Sequence, residues 1–465
     1  MKKVNGKAKL GKSSLISRRE VLKSLLAMGA VAITPPIAAQ SKRVIVIGAG
    51  AAGIAAARRL KRDGHTVAIF EARDRIGGRI NSDHTLSPYP VELGAEFLHG
   101  SRVTTWDYVN SFGFRTLRAG PNTSDFVHIN GQTMDTNQWQ TDLVGSDESL
   151  EDLIWDAAEA WTENDGEEMT IDQLISVSDS LADLRDPATR RILDNMYGEE
   201  VAAGTTQHGV YGIVEATYDD DGSRDYRLEQ GYSALLERMA IGLDIQLNTP
   251  VKRISRAGST ATVETTDGAL FTADAVIITL PLALLQKGVV QFDPPLPDWK
   301  QEAIDALGAG HVDKVILRFK ERFWPEDLGE VISDKTLQVW WQPGLGRPDA
   351  PPILTANTGG LNALVLENLG EAGAIDLGLQ ELSDIFGMNV RDKFDAGIFV
   401  GWGIDPYSQM GYSYVPPDAD GYRADLASPV GNVLFFAGEA THTTRPACVH
   451  GAIETGLRAA KEVTG

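Results

Sequence analysis

The stretch from Arg43 to Gly53 limits what this chain can become more than any other. Val44-Ile45-Val46-Ile47 is an unbroken β-branched run, the pattern of a strand buried on both faces. It breaks into Gly48-x-Gly50-x-x-Gly53, with Ala52 inside the turn, and then into the helix-forming run Ile54 to Leu60. Gly48 suits a tight turn, Gly50 lets a pyrophosphate approach the backbone, and Gly53 lets the helix lie close on the strand. The helix start offers unpaired N–H groups to phosphates. A second strand, Thr66 to Phe70, ends on Glu71, about twenty residues past the glycines, where an acid accepts hydrogen bonds from ribose hydroxyls. Together these features predict a dinucleotide site. The alternative is a βαβ unit with a tight turn and no ligand.

At 465 residues the chain is too long for one ordinary core, and two domains are expected. A formal net charge of -21 argues against nucleic acid as a partner and permits a cationic substrate. The single cysteine, Cys448, excludes an internal disulfide and a cysteine-based metal cluster, and no metal site is expected.

Residues 1–39 read as a leader. Lys2, Lys3, Lys7, Lys9 and Lys12 precede Arg18-Arg19, a short apolar run from Leu25 to Ile33, and Pro35-Pro36-Ile37-Ala38-Ala39. The run is too short and weakly apolar for a permanent membrane anchor. The paired arginines resemble a twin-arginine export signal, which implies passage through the export machinery to a periplasmic or extracellular location. A basic tail without that role is the alternative.

The run Glu71-Ala72-Arg73-x-Arg75-x-Gly77-Gly78-Arg79 resembles the flavin-adenine signature of the flavin-dependent amine oxidase superfamily, which includes monoamine oxidases, polyamine oxidases and flavin histone-lysine demethylases. The resemblance extends over the chain that follows the leader and is densest to polyamine oxidases. It implies an α/β fold: a Rossmann-like FAD-binding domain assembled from residues 40–115, 226–288 and 400–465, with an inserted α+β substrate-binding domain at 116–225 and 289–399. Residues 115–225 read as helical and acidic, closing on Asp219-Asp220-Asp221, and those acids are either a cation-attracting mouth or solvated helix faces. Asp244 to Ile254 reads as edge strands, and the region from Trp340-Trp341 to about 400 as strand-rich.

The resemblance also assigns residues. Gly94, Ala95 and Glu96 lie beside the flavin, and His99 matches a histidine of polyamine oxidases. Val251 contacts adenine through its backbone, Gly438 and Glu439 meet the diphosphate and ribityl chain, and a helix beginning near Val449 and His450 points at the flavin pyrimidine. Lys314 matches the lysine that holds a water against flavin N5, and Tyr412 the aromatic wall beside the amine, with Trp402 near it. Monoamine oxidases carry cysteine where Gly411 stands, so the FAD is expected to be non-covalent; they also carry a cage tyrosine where Cys448 stands.

The activity implied is hydride transfer from an amine α-carbon to flavin N5, imine hydrolysis to an aldehyde, and reoxidation by O2 to H2O2, with a polyamine as substrate. Two alternatives stand beside it. One is an L-amino-acid oxidase or another secondary-amine oxidase, for which Arg224, Arg227 or Arg318 would clamp a carboxylate. The other is a flavin-binding electron carrier without amine turnover.

Overall fold

Arg43–Ile47 forms the central strand of a five-stranded, all-parallel sheet in the order Asp244–Gln246, Thr66–Phe70, Arg43–Ile47, Ala275–Ile278, Leu434–Phe436. The structure is a computed structural model that describes residues 41–120, 123–146, 148–216 and 224–465; the expected leader and the Asp219–Asp221 triplet lie outside the described residues. The β-branched run is buried as its pattern requires: Val44 to Ile47 are each at most 5% exposed. On one face pack the helices Ala51–Arg62 and Val449–Thr464. They touch at Gly456, where an added Cβ would stand 2.1 Å from the Ala52 carbonyl oxygen. On the other face lies a four-stranded sheet, Leu270–Ala273, Thr260–Thr265, Val251–Ala257 and Gln291–Asp293.

A second, seven-stranded sheet carries the rest: Phe394–Gly401, Val312–Phe319, Ile353–Gly359, Val339–Trp341, Leu328–Ser333, Ser124–Ile129, Gln132–Asp135. Side chains alternate across it. Val315, Leu317, Val331 and Trp340 face the helix Leu361–Ile385. The opposite face packs Val127, Ile332, Val339 and Trp341 against helices between residues 136 and 215. Residues 41–465 form one compact unit, and among the described residues no helix is long and apolar enough to cross a membrane.

Three expectations need correction. The stretch read as helical from 115 opens instead with the strand Thr116–Arg118 and the hairpin Ser124–Asp135, whose side chains alternate toward the helical core. The stretch read as strand-rich to about 400 contains the 25-residue helix Leu361–Ile385, broken in backbone geometry at Gly370. Its apolar residues surround the axis, so periodicity does not mark a single face. Val251–Ala257 is an interior strand of the four-stranded sheet; only Asp244–Gln246 is an edge.

Candidate active site

The glycine turn is shaped as its spacing predicts. Gly48 sits at φ +104°, and a Cβ on Gly53 would fall 2.0 Å from the Gly48 carbonyl oxygen, so helix and strand approach as closely as only glycine allows. Gly50 caps the helix Ala51–Arg62, and Ala52 is buried in its first turn. Glu71 is 4% exposed; its Oε2 accepts from the Ala49 N–H at 2.7 Å and its Oε1 from the Arg73 N–H at 2.9 Å. The carboxylate thus ties the second strand to the turn. Ala72 is half-buried, and the Arg73 guanidinium pairs with Asp405 and donates to Ser408 Oγ.

The adjoining loops leave a cradle. Gly77 bridges to Gly50, and a Cβ built on Gly50 or Gly438 meets nothing within 4 Å. Gly78, at φ +59°, stands against the Gly50 Cα. Arg79 donates to the Gly411 carbonyl and pairs with Glu439 at 3.1 Å. Glu439 also accepts from Ser413 Oγ and the Ala447 N–H; burial pushes its carboxyl up, but Arg79 and Arg423 outweigh that and hold it low. Val251 is buried at the start of its strand, and Val449 opens the C-terminal helix behind Cys448. Open space at glycines, a helix N-terminus and an arginine fit a dinucleotide diphosphate.

Beyond the cradle, Gly94 lies so close to the preceding loop that a Cβ would stand 1.9 Å from the Arg79 carbonyl oxygen and 3.0 Å from the Trp402 ring. Ala95 donates its N–H to that same Arg79 oxygen. Trp402 is buried, its indole N–H donating to the Leu93 carbonyl at 3.0 Å. Lys314 projects from its strand to the Glu92 carbonyl at 3.3 Å and Glu96 Oε2 at 3.2 Å. Glu96 Oε1 accepts from Arg227 Nε at 2.7 Å and Trp341 Nε1 at 3.0 Å. Asn357, opposite Lys314 across the strands, donates to Glu199 Oε1 at 2.8 Å and to the Tyr412 hydroxyl at 3.3 Å. Burial pushes the Tyr412 phenol up. Lys314, Glu96, Arg227 and Trp341 thus form one hydrogen-bonded group, and Asn357, Glu199 and Tyr412 a second, facing it across paired strands.

A carboxylate wall adjoins them. The helix Pro187–Val201 starts on the Asp186 cap, whose side chain accepts from Ala188 and Thr189, with Pro187 in the first turn. It lies against the strand Ile353–Gly359 through glycines: a Cβ on Gly359 would fall 1.7 Å from the Gly198 carbonyl oxygen. That approach brings Glu199 to Asn357. Glu199 and Glu200 stand in the helix's last turn, where the macrodipole disfavours negative charge. Glu200 is exposed at the helix end, and neighbouring protein together with Glu151 and Glu199 raises its carboxyl. Burial, Asp125 and Glu199 push Glu330 up to about 8. His99 is exposed and pairs with Asp225 at 3.3 Å; desolvation would lower its imidazole, but Asp225, with Glu199 and Glu200, outweighs that and raises it. Of the three candidate arginines, Arg227 is committed to Glu96 and Arg318 pairs with Asp395 and Leu86.

The family described as flavin containing amine oxidoreductase matches residues 51–464. The chain belongs to this family. Its enzymes are flavoproteins, and a flavin held at a dinucleotide turn is FAD. Polyamine oxidase 2 of Arabidopsis thaliana is 32% identical over 91% of this chain and 88% of its own length. Lysine-specific histone demethylase 2 of Homo sapiens is 30% identical over 94% of this chain and 55% of its own length. Lysine-specific histone demethylase 1 homolog 3 of Arabidopsis thaliana is 28% identical, and the chain spans 30% of it, so these demethylases are much longer. A solved putrescine oxidase bound to putrescine shares the fold, with a TM-score of 0.77 at 24% identity over 91% of this chain and 99% of that one.

Within this family fold, the sequence reading did not single out Arg227 as a partner of Glu96, nor Trp341, Asn357, Glu199, Glu200 or Glu330 as neighbours of the site. Two signals pointed to some of them. Alternation along the strands places Lys314, Asn357 and Trp341 on one face. Paired acids in a helix's last turn are an unfavourable arrangement that asks for a cation.

Proposed function

We propose that this flavoenzyme is a polyamine-type oxidase acting on a flexible aliphatic di- or polyamine. The observation that carries the reading is the wall of acids Glu199, Glu200 and Glu330 beside Lys314 and the Asn357–Tyr412 pair. Crowded carboxyls whose protons are held too tightly are relieved by a bound cation. An ammonium distant from the reacting nitrogen supplies one. Similarity to polyamine oxidases over most of the chain agrees with that choice.

Bound FAD supplies the acceptor for a hydride from the carbon beside the amine nitrogen. The protein's part is placement. Tyr412 forms an aromatic wall for the amine, and Trp402 braces the glycine segment behind it. Lys314, with two N–H groups engaged by Glu92 and Glu96, offers its third to a water. His99, held by Asp225, meets the substrate at the outer end of the acidic wall. Gly48, Gly50, Gly53, Glu71, Gly78, Arg79, Gly438 and Glu439 hold the cofactor without a covalent bond. A Cβ on Gly411 would meet Val312 at 2.5 Å, which leaves no room for an attaching cysteine. Oxygen is the final acceptor and hydrogen peroxide a product. We extend the proposal to export, on the strength of Arg18-Arg19 and the apolar run that follows.

An amino-acid substrate is the weaker reading, because the carboxylates at this wall repel it and Arg227 already neutralises Glu96. The deciding experiment is peroxide release from purified yellow protein given putrescine, spermidine, spermine and a panel of amino acids. Turnover confined to amino acids overturns the polyamine assignment, and no peroxide with any of them overturns the oxidase assignment.

A further inference from the structure

Glu96 occupies an unusual electrostatic position. Its carboxylate is shared between two buried cations, Lys314 at 3.2 Å and Arg227 at 2.7 Å, with Trp341 Nε1 at 3.0 Å completing its partners. The side chains of all three charged residues are at most 9% exposed. A single anion therefore offsets two charges that burial penalises. Burial alone would push the Glu96 carboxyl up, but Lys314 and Arg227 outweigh it and hold it below the ordinary carboxylate range. The anion is on a short tether, because Gly94 and Ala95 are pinned to the Arg79 carbonyl. Arg227 is fixed in turn by stacking 4.5 Å over the Phe97 ring.

We propose that Glu96 is the positioning residue for Lys314, its carboxylate fixing where the ammonium stands and serving as its counterion beside the flavin. The inference rests on the reading that Lys314 faces the flavin. It gives Glu96 a task through the lysine, where its place in the sequence suggested contact with the cofactor itself.

Other titratable groups around Lys314 bear on the test. Glu92, which burial pushes up to about 7, and Glu199, which burial also raises, lie beside it, and Arg227 lies across Glu96. Removing the Glu96 charge leaves Lys314 facing Arg227 with a weaker counterion, which disfavours the ammonium form.

The experiment follows the absorbance of FAD in substrate-free holoenzyme from pH 6 to 11, for wild type, K314M and E96Q. The Lys314-dependent transition is the part that K314M lacks, which separates it from ionisation of Glu92 and of the flavin. We expect E96Q to move that transition down by at least about one pH unit, a tenfold weaker hold on the proton. If E96Q does not fold, E96Q/R227M removes an opposite pair together, which proteins tolerate better than a lone buried charge. It is expected to shift the same way by less, because Arg227 lies farther from Lys314 than Glu96 does. A transition unmoved in the Glu96 variant but absent from K314M overturns the role of Glu96 and spares that of Lys314. Spectra of K314M identical to wild type at every pH overturn both.

Discussion

Asp313 and Lys314 are adjacent in one strand and face opposite sides of the seven-stranded sheet, the lysine into the network of Glu92 and Glu96, the aspartate toward the backbone N–H groups of Trp402 and Gly403. Asp313 is fully buried, and burial together with Glu367 pushes its carboxyl up to about 8. The same strand thus carries a charged group toward the site and an uncharged acid behind it. Each side chain can be tested without touching the other.

Lys314→Met is expected to retain FAD and the fold while lowering amine turnover about 10²- to 10⁴-fold, the range for losing a positioned proton-handling group. Stopped-flow recording of flavin bleaching by putrescine checks this. Wild-type kinetics in the variant would remove the lysine from the chemistry.

Asp313→Asn is expected to raise the melting temperature relative to wild type by clearly more at pH 8.5 than at pH 5. The folded protein keeps this proton up to about pH 8, whereas the unfolded chain loses it near pH 4. Folding therefore loses stability as pH rises between those values, and the asparagine, which cannot ionise, avoids that loss. Calorimetry at the two pH values decides; an unchanged difference between wild type and variant contradicts the buried neutral acid.

Glu330→Gln and Glu199→Gln are expected to raise KM for putrescine about tenfold, the worth of one charge-assisted contact, with a much smaller effect on a monoamine of equal length. Desolvation and neighbouring acids raise the Glu200 and Glu330 carboxyls, Glu330 to about 8, so both gain charge as pH rises through and above neutrality. Preference for diamine over monoamine in wild type should therefore grow from pH 6 to 8.5. Steady-state kcat/KM ratios measure it, and a flat ratio argues against an ammonium at this wall.

Gly50→Ala and Gly53→Ala separate cofactor space from folding. Gly50 has an ordinary backbone conformation and nothing within 4 Å of its missing Cβ, so alanine should leave the apoprotein's melting temperature unchanged and weaken FAD binding. Gly53 has a carbonyl oxygen 2.0 Å from that point, and alanine there should cost about 2 kcal/mol or more of stability, as overpacking does. Thermal melts with and without added FAD distinguish the two.

What could be read from the chain in advance was what backbone geometry writes locally. Gly48 and Gly53 announce a turn because other residues do not fit, Gly50 leaves room for a ligand, and Glu71 follows at a fixed distance. Lys314 was legible through the stretch around it. The partners that give Lys314 its setting were not, because Glu96 meets Arg227 and Trp341 across 131 and 245 residues of chain. The acids of the helix Pro187–Val201 look like solvated surface until Gly198 and Gly359 bring that helix onto the sheet. The hairpin Ser124–Asp135 escaped notice because its exposed strand is polar and borders a long helical stretch.

The parallel sheet takes its middle strand from residues 43–47 and an outer strand from residues 434–436, and the helix closing its back is Val449–Thr464. The nucleotide fold therefore stays open-sided until segments lying far apart in the chain have been brought together. Loss of the helix Val449–Thr464 strips the Gly456–Ala52 seam from behind the phosphate turn, so a product lacking it is expected to be colourless however intact the rest of the fold.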